Sequence, residues 1–142
     1  MRPTGESNVD QIFSKWQPSA LSLFRFITGL LLLQYGVAKI FKFPVLPYFA
    51  NIPPLITTAG MLELALGALL LVGLFTRPVA FILSGEMAAA YFMGHMFKTG
   101  APVFLPLVNG GTAAILFCFA CLYLATSGGG PLSLDAILRK KS

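Results

Sequence analysis

Four apolar stretches fill most of the 142-residue chain: Leu21–Phe41, Thr57–Thr76, Pro78–Phe97 and Leu107–Thr126. Each approaches the ~20 residues a helix needs to cross a ~30 Å hydrocarbon core. Backbone groups in lipid must be satisfied within the segment, so such stretches read as helices. Only 11% of residues are charged and 56% are hydrophobic, whereas a soluble domain carries about 25% charged residues. What remains outside the spans is too short for a separate soluble domain. The expected fold is therefore an all-α membrane protein. Residues 21–126 form an antiparallel four-helix transmembrane bundle, preceded by an N-terminal segment 1–20 and followed by a basic tail 127–142.

Val9, Ile12, Phe13 and Trp16 recur at the spacing of one helical face. With Ser7 or Asn8 as cap and Pro18 as stop, they predict a short interfacial helix with Trp16 at headgroup depth. The first run reaches full span length with no small-residue cleavage site behind it, so it is expected to stay as the first helix. Two connections, Lys42–Ile56 and Lys98–Pro106, are rich in proline and aromatic residues. They predict lids lying in the membrane interface. Ser127-Gly128-Gly129-Gly130-Pro131 stops the last span, and Ser133 and Asp135 can cap a short tail helix.

With four spans both termini share one side. That side holds Arg2, Lys15, Arg77, Arg139, Lys140 and Lys141, against Lys39, Lys42 and Lys98 on the other. The bias places both termini of a multi-pass membrane protein in the cytoplasm. The basic tail reads as a contact with lipid headgroups. No basic patch interleaved with aromatics points to nucleic acid.

Arg25, Lys39, Glu63, Glu86, His95 and Asn109 lie within the apolar runs or at their edges. Groups at that depth are costly and face partners or cavities. On the first helix Arg25, Gly29, Leu32, Gly36 and Lys39 share a stripe, and small residues there let a neighbouring helix approach closely. Gly60 and Gly67 flank Glu63 on the second. At 1.5 Å per residue Tyr35 and Glu63 both sit about 9 Å below the outer boundary, near which Lys39, His95 and Asn109 also lie. Lys39 is the natural counter-ion of Glu63.

Glu86 falls in the middle of the third helix, about 180° from His95 on a straight helix. Two roles are open to it: a structural ion pair with Arg25, or a proton relay. Arg25 can alternatively snorkel to the headgroups. His95 is either a quinone or proton contact, or an interfacial residue bonded to a loop. As the only histidine it excludes an ordinary His/Cys metal site. Cys118 and Cys121 have Cys-x-x-Cys spacing, but they point away from Asn109 and apolar surroundings make thiols inert, which favours packing.

The chain resembles the DoxX family of small four-span bacterial membrane proteins. The likeness is carried by Leu23-Phe24-Arg25, Gly29 and Tyr35-Gly36-Val37-Ala38-Lys39, then Glu63-Leu64 and Leu71 through Arg77. Glu86, Met87, Ala90, His95, Asn109-Gly110-Gly111 and Gly130 through Asp135 complete it. Tyr35 stands where the family commonly has His, and Thr112 where it has Glu. The family takes its name from a subunit of an archaeal thiosulfate:quinone oxidoreductase, and similar proteins are linked to oxidative stress and sulfur metabolism.

The resemblance implies the membrane subunit of an oxidoreductase that interacts with quinone. Lys39, Tyr35, His95 and Asn109 would line the quinone pocket and Glu63 would handle protons. There is no haem-ligand pair, iron–sulfur cysteine set or nucleotide-binding glycine motif, so no cofactor is intrinsic and quinone is the candidate. The alternatives are a non-catalytic scaffold that docks a soluble redox or stress enzyme, and a small homo-oligomeric transporter.

Overall fold

A computed structural model describes residues 7–142. Arg2 and the rest of residues 1–6 lie outside the described residues. Everything regular among the described residues is helical: α1 Asn8–Phe41, α2 Pro54–Val72, α3 Thr76–Ala89 with a π-helical extension Ala90–Met96, the single turn α4 Pro106–Asn109, α5 Thr112–Ser127 and α6 Leu134–Arg139. A 3₁₀ turn, Pro47–Phe49, lies in the first connection. α1 and α2 are long and apolar enough to cross a membrane, whereas α5 is apolar but shorter.

Ser7 caps α1. Its hydroxyl accepts from Asp10 N–H at 3.2 Å, and the Asp10 carboxylate accepts from Ser7 N–H at 3.1 Å. The expected break at Pro18 does not occur: α1 runs through Pro18 as one helix of 34 residues. The physical reason is the cost of starting again. A proline removes one backbone bond, but a new helix needs a fresh nucleus and leaves four N–H groups unpartnered at the edge of an apolar span. The separate interfacial helix is thus the free first half of α1, with Ile12, Phe13 and Trp16 all exposed.

α1 packs chiefly on α2, and α3 on α5. The α1–α2 seam is made of glycines. A Cβ on Gly36 would lie 2.9 Å from Gly60 O and inside contact distance of the Leu64 backbone; one on Gly67 would lie 2.8 Å from Leu33 N. Removing those side chains brings the two backbones together, the usual route to tight helix packing in lipid. The core of Leu32, Leu70, Val79, Ala80, Leu83, Met87, Cys121 and Leu124 sits where the two helix pairs meet. The outward faces remain apolar: Phe26, Ile27, Phe81, Ile82, Leu116 and Phe119 are all exposed. Surfaces of that extent suit a lipid environment.

The third helix begins at Thr76, two residues before Pro78, and widens at Ala90 into the π form. The straight-helix angle between Glu86 and His95 therefore does not apply. The last span does not open at Asn109 as one helix. α4 ends there, Gly110 adopts φ 75°, and α5 starts at Thr112. Gly111 is required because a Cβ would meet the Tyr91 ring at 2.6 Å.

Candidate functional site

Lys39 and Glu63 form the polar centre of the α1–α2 pair. Lys39 Nζ donates to both Glu63 carboxylate oxygens at 2.7 Å. The Glu63 side chain is 4% exposed and that of Lys39 12%. Gly60 makes room, since a Cβ there would stand 2.8 Å from Lys39 Cβ. The ammonium also lies 5.9 Å from the Tyr35 ring centre and 5.8 Å from that of Phe49. Both are within the ~6 Å range of cation–π attraction. Phe49 comes from the first connection, which is pinned by Lys42 Nζ donating to Phe49 O at 2.7 Å. Tyr35 stacks edge-on against Phe117 of α5, so the pair is walled on two sides by aromatic rings.

His95 and Asn109 belong to a second group. His95 Nδ1 lies 3.1 Å from Asn109 O, and Asn109 Nδ2 donates to Val103 O at 2.8 Å. Gly111 N donates to Asn109 Oδ1 at 2.7 Å, and Tyr91 OH to Phe104 O at 2.9 Å. These bonds tie the second connection to the π segment and the start of α5. Neither His95 nor Asn109 hydrogen-bonds to Lys39 or Glu63. Tyr91 carries no distinguishing signal in the sequence, where a tyrosine at a span end reads as an ordinary interfacial anchor.

Arg25 and Glu86 do not pair. Arg25 is 3% exposed and its guanidinium donates to backbone carbonyls: Gly129 O at 2.9 Å, Leu70 O at 2.9 Å, Leu132 O at 2.8 Å and Leu71 O. The forked donors match carbonyls at the end of α2, where Leu70 O also accepts from Gly73 N–H, and in the glycine-rich turn after α5, so a carboxylate is not needed. Both Glu86 oxygens are buried without a hydrogen-bond partner among the described residues.

The Arg25 end is a structural knot. Asp135 accepts from Phe75 N–H and Thr76 N–H, both at 2.8 Å, and holds Phe75 at φ 51° in the α2–α3 turn. It therefore caps α3, while Ser133 caps its own helix α6 by accepting from Ala136 N–H at 3.2 Å. Partial burial pushes the Asp135 carboxyl up. The N–H groups of Thr76 and Phe75, the Thr76 side chain and Arg139 outweigh this and hold it below the usual aspartate range. Arg77 donates to Ala125 O at 3.3 Å and to Thr126 O, closing the end of α5. Cys121 is fully buried in the core and Cys118 partly so; both are free thiols. Ser84 Oγ donates to Cys118 O at 2.8 Å.

The residues assembled here match a known family. Residues 20–96, more than half of the chain, fit the DoxX family. The chain belongs to the DoxX family. An uncharacterized protein of Haemophilus influenzae is 38% identical over 130 residues, covering 89% of this chain and 96% of the relative. No solved structure matches. Within this DoxX chain the buried polar residues divide by place. Arg25, Thr76 and Asp135 meet at the knot, whereas Lys39 and Glu63 form the buried pair.

Proposed function

We propose that this DoxX protein is the membrane subunit of an oxidoreductase that interacts with quinone. The chain spans the bacterial inner membrane as an antiparallel four-helix bundle with both termini in the cytoplasm. The contact register supports the antiparallel arrangement, since Gly29 meets Leu71 and Gly36 meets Leu64. The observation that carries the functional reading is the buried Lys39–Glu63 pair, walled by Tyr35 and Phe49.

These residues fit a quinone head. An ammonium has three donors. Two are accounted for by Glu63, which leaves one for a carbonyl oxygen. Tyr35 and Phe49, which already flank the ammonium, would supply aromatic contacts to a flat ring bound beside it. Glu63 holds or moves a proton beside that oxygen. A bound quinone supplies the capacity to take up electrons together with protons. His95 and Asn109 act from the loop network, setting how the second connection closes over the bundle. The electrons come from a soluble redox partner.

The test is mass spectrometry of small molecules that co-purify with the full chain in mild detergent, alongside Glu63→Gln. A stoichiometric quinone, lost in the variant while the variant remains folded, is the expected result. A folded wild-type protein that carries no quinone and takes none up sinks the reading. The second reading is a non-catalytic scaffold that docks a soluble redox or stress enzyme. The free first half of α1, with its exposed Ile12, Phe13 and Trp16, favours it.

A further inference from the structure

We infer that the Arg25 end carries a binding site for one anionic phospholipid, in a cleft between the α2–α3 turn and α6. This rests on the membrane placement above and is independent of the quinone reading. The cleft is about 350 Å³ and open, with Leu74, Phe75, Pro78 and Leu138 on its apolar side and Arg77 and Arg139 on its charged side. Gly128 and Gly129 complete its wall, and a Cβ on Gly129 would crowd Thr76 Oγ1 at 2.7 Å. Thr76 also lines the cleft and is 1% exposed.

The charge balance selects an anion. Arg77 and Arg139 face the cleft, and Lys140 and Lys141 follow at once in sequence. Asp135, the one acid in the lining, accepts from the N–H groups of Phe75 and Thr76, and Arg77 also donates to the carbonyls that end α5, so two cations against one carboxylate leave the cleft net positive. The apolar residues select a lipid over a free ion. Phe75 and Leu138 line the cleft and are exposed, as is Ile137 on α6 beside it. A helix that offers apolar side chains next to cations lies at a membrane surface. The site therefore joins a phosphate contact to an acyl-chain contact, at the level where α2 ends and α3 begins. A phosphodiester with a glycerol head and two chains satisfies both halves.

The experiment is native mass spectrometry of the full chain, titrated with phosphatidylglycerol and with phosphatidylcholine of the same acyl chains. Each cation near the surface is worth about fivefold in binding. Phosphatidylglycerol is expected to be retained at least about fivefold over phosphatidylcholine. Arg139→Gln is expected to lower phosphatidylglycerol retention about fivefold and leave phosphatidylcholine unchanged. Lys140→Gln serves in the same way should the first variant fold poorly. Lys98→Gln, a cation in the second connection, should have no effect. Inorganic phosphate in excess should not displace the lipid. Equal retention of the two lipids, an Arg139→Gln variant that binds like the wild type, or displacement by inorganic phosphate alone each overturns the assignment. A protein that fails to insert in membranes at all overturns instead the placement on which the site depends.

Discussion

Lys39 and Glu63 face each other at 2.7 Å across the α1–α2 seam, and the glycine at position 60 lets the lysine stem pass. Removing one partner strands a charge in a dry site, which costs about 3–5 kcal/mol in buried pairs. Replacing both with apolar residues of similar volume is often neutral. Lys39→Met and Glu63→Leu are therefore each expected to lower unfolding stability in detergent by a few kcal/mol, and the double variant to recover most of the loss. Additive losses would mean that the two side chains do not act as a pair. A double variant that is stable yet carries no quinone separates the structural use of the pair from its proposed chemical use.

The glycine seam makes an opposed pair of predictions. A Cβ at Gly36 meets the backbone of the facing helix, which cannot yield, whereas at Gly85 in α3 a Cβ meets nothing within 4 Å. Overpacking costs about 1–3 kcal/mol, and Gly to Ala in an open helical position gains up to about 1 kcal/mol. Gly36→Ala should lower the melting temperature in detergent and Gly85→Ala should raise it or leave it unchanged. The same sign for both would show that helix propensity, not contact across the seam, governs these positions.

How much of this was readable from residues alone depended on whether the partner was a side chain. Lys39 and Glu63 pair from the sequence because both fall in the outer half of adjacent spans, where the deep carboxylate has few other cations within reach. The partners of Arg25 are carbonyls at the end of α2 and in the turn after α5, and a carbonyl carries no signature in the sequence. Asp135 was read as a cap for its own helix but serves α3 instead, since a carboxylate caps whichever helix end the chain brings near. Pro18 looked like a stop because propensity weighs a single residue, while the helix answers to the cost of restarting. Depth along the spans also puts His95 and Asn109 near the other polar residues, yet depth alone does not distinguish a site residue from one that ties down a loop, as these two do.

The carbonyl cluster around Arg25 needs a planar fork, so Arg25→Lys is expected to behave as a severe change. A lysine keeps the charge but presents a point donor that cannot reach carbonyls on both sides. Loss of about 2–4 kcal/mol is expected from the stranded acceptors, together with faster proteolysis between Ser127 and Ser133. A lysine variant as stable as the wild type would show that charge alone suffices there.

Asp135 gives the knot a pH dependence. Its carboxyl titrates lower when folded than when unfolded. A depressed folded value contributes stability that is present above the unfolded value of about 3.9. That stability is lost as pH falls through the folded value. The contribution is thus constant at neutral pH and fades only below about pH 4. Asp135→Asn should lower stability at pH 7 and flatten the decline in the acid range, followed by unfolding at a series of pH values. A variant whose acid profile parallels that of the wild type would show that other carboxylates control the decline.

Glu86 reverses the usual expectation for a charged residue. Its oxygens are buried and accept no hydrogen bond, and Arg25, the cation that the sequence suggested for it, is fully occupied elsewhere. An unsatisfied buried polar group costs about 1–3 kcal/mol, and an apolar replacement of similar shape removes that cost. Glu86→Leu is therefore expected to leave the fold intact and to raise its unfolding stability in detergent by about 1–3 kcal/mol. Arg25→Lys and Glu86→Leu should then show no coupling in a double-mutant cycle. A Glu86→Leu variant that loses stability would reveal a partner that only the membrane or a bound molecule provides. One that gains stability while quinone retention falls would mark Glu86 as a carboxyl kept for function at the expense of the fold.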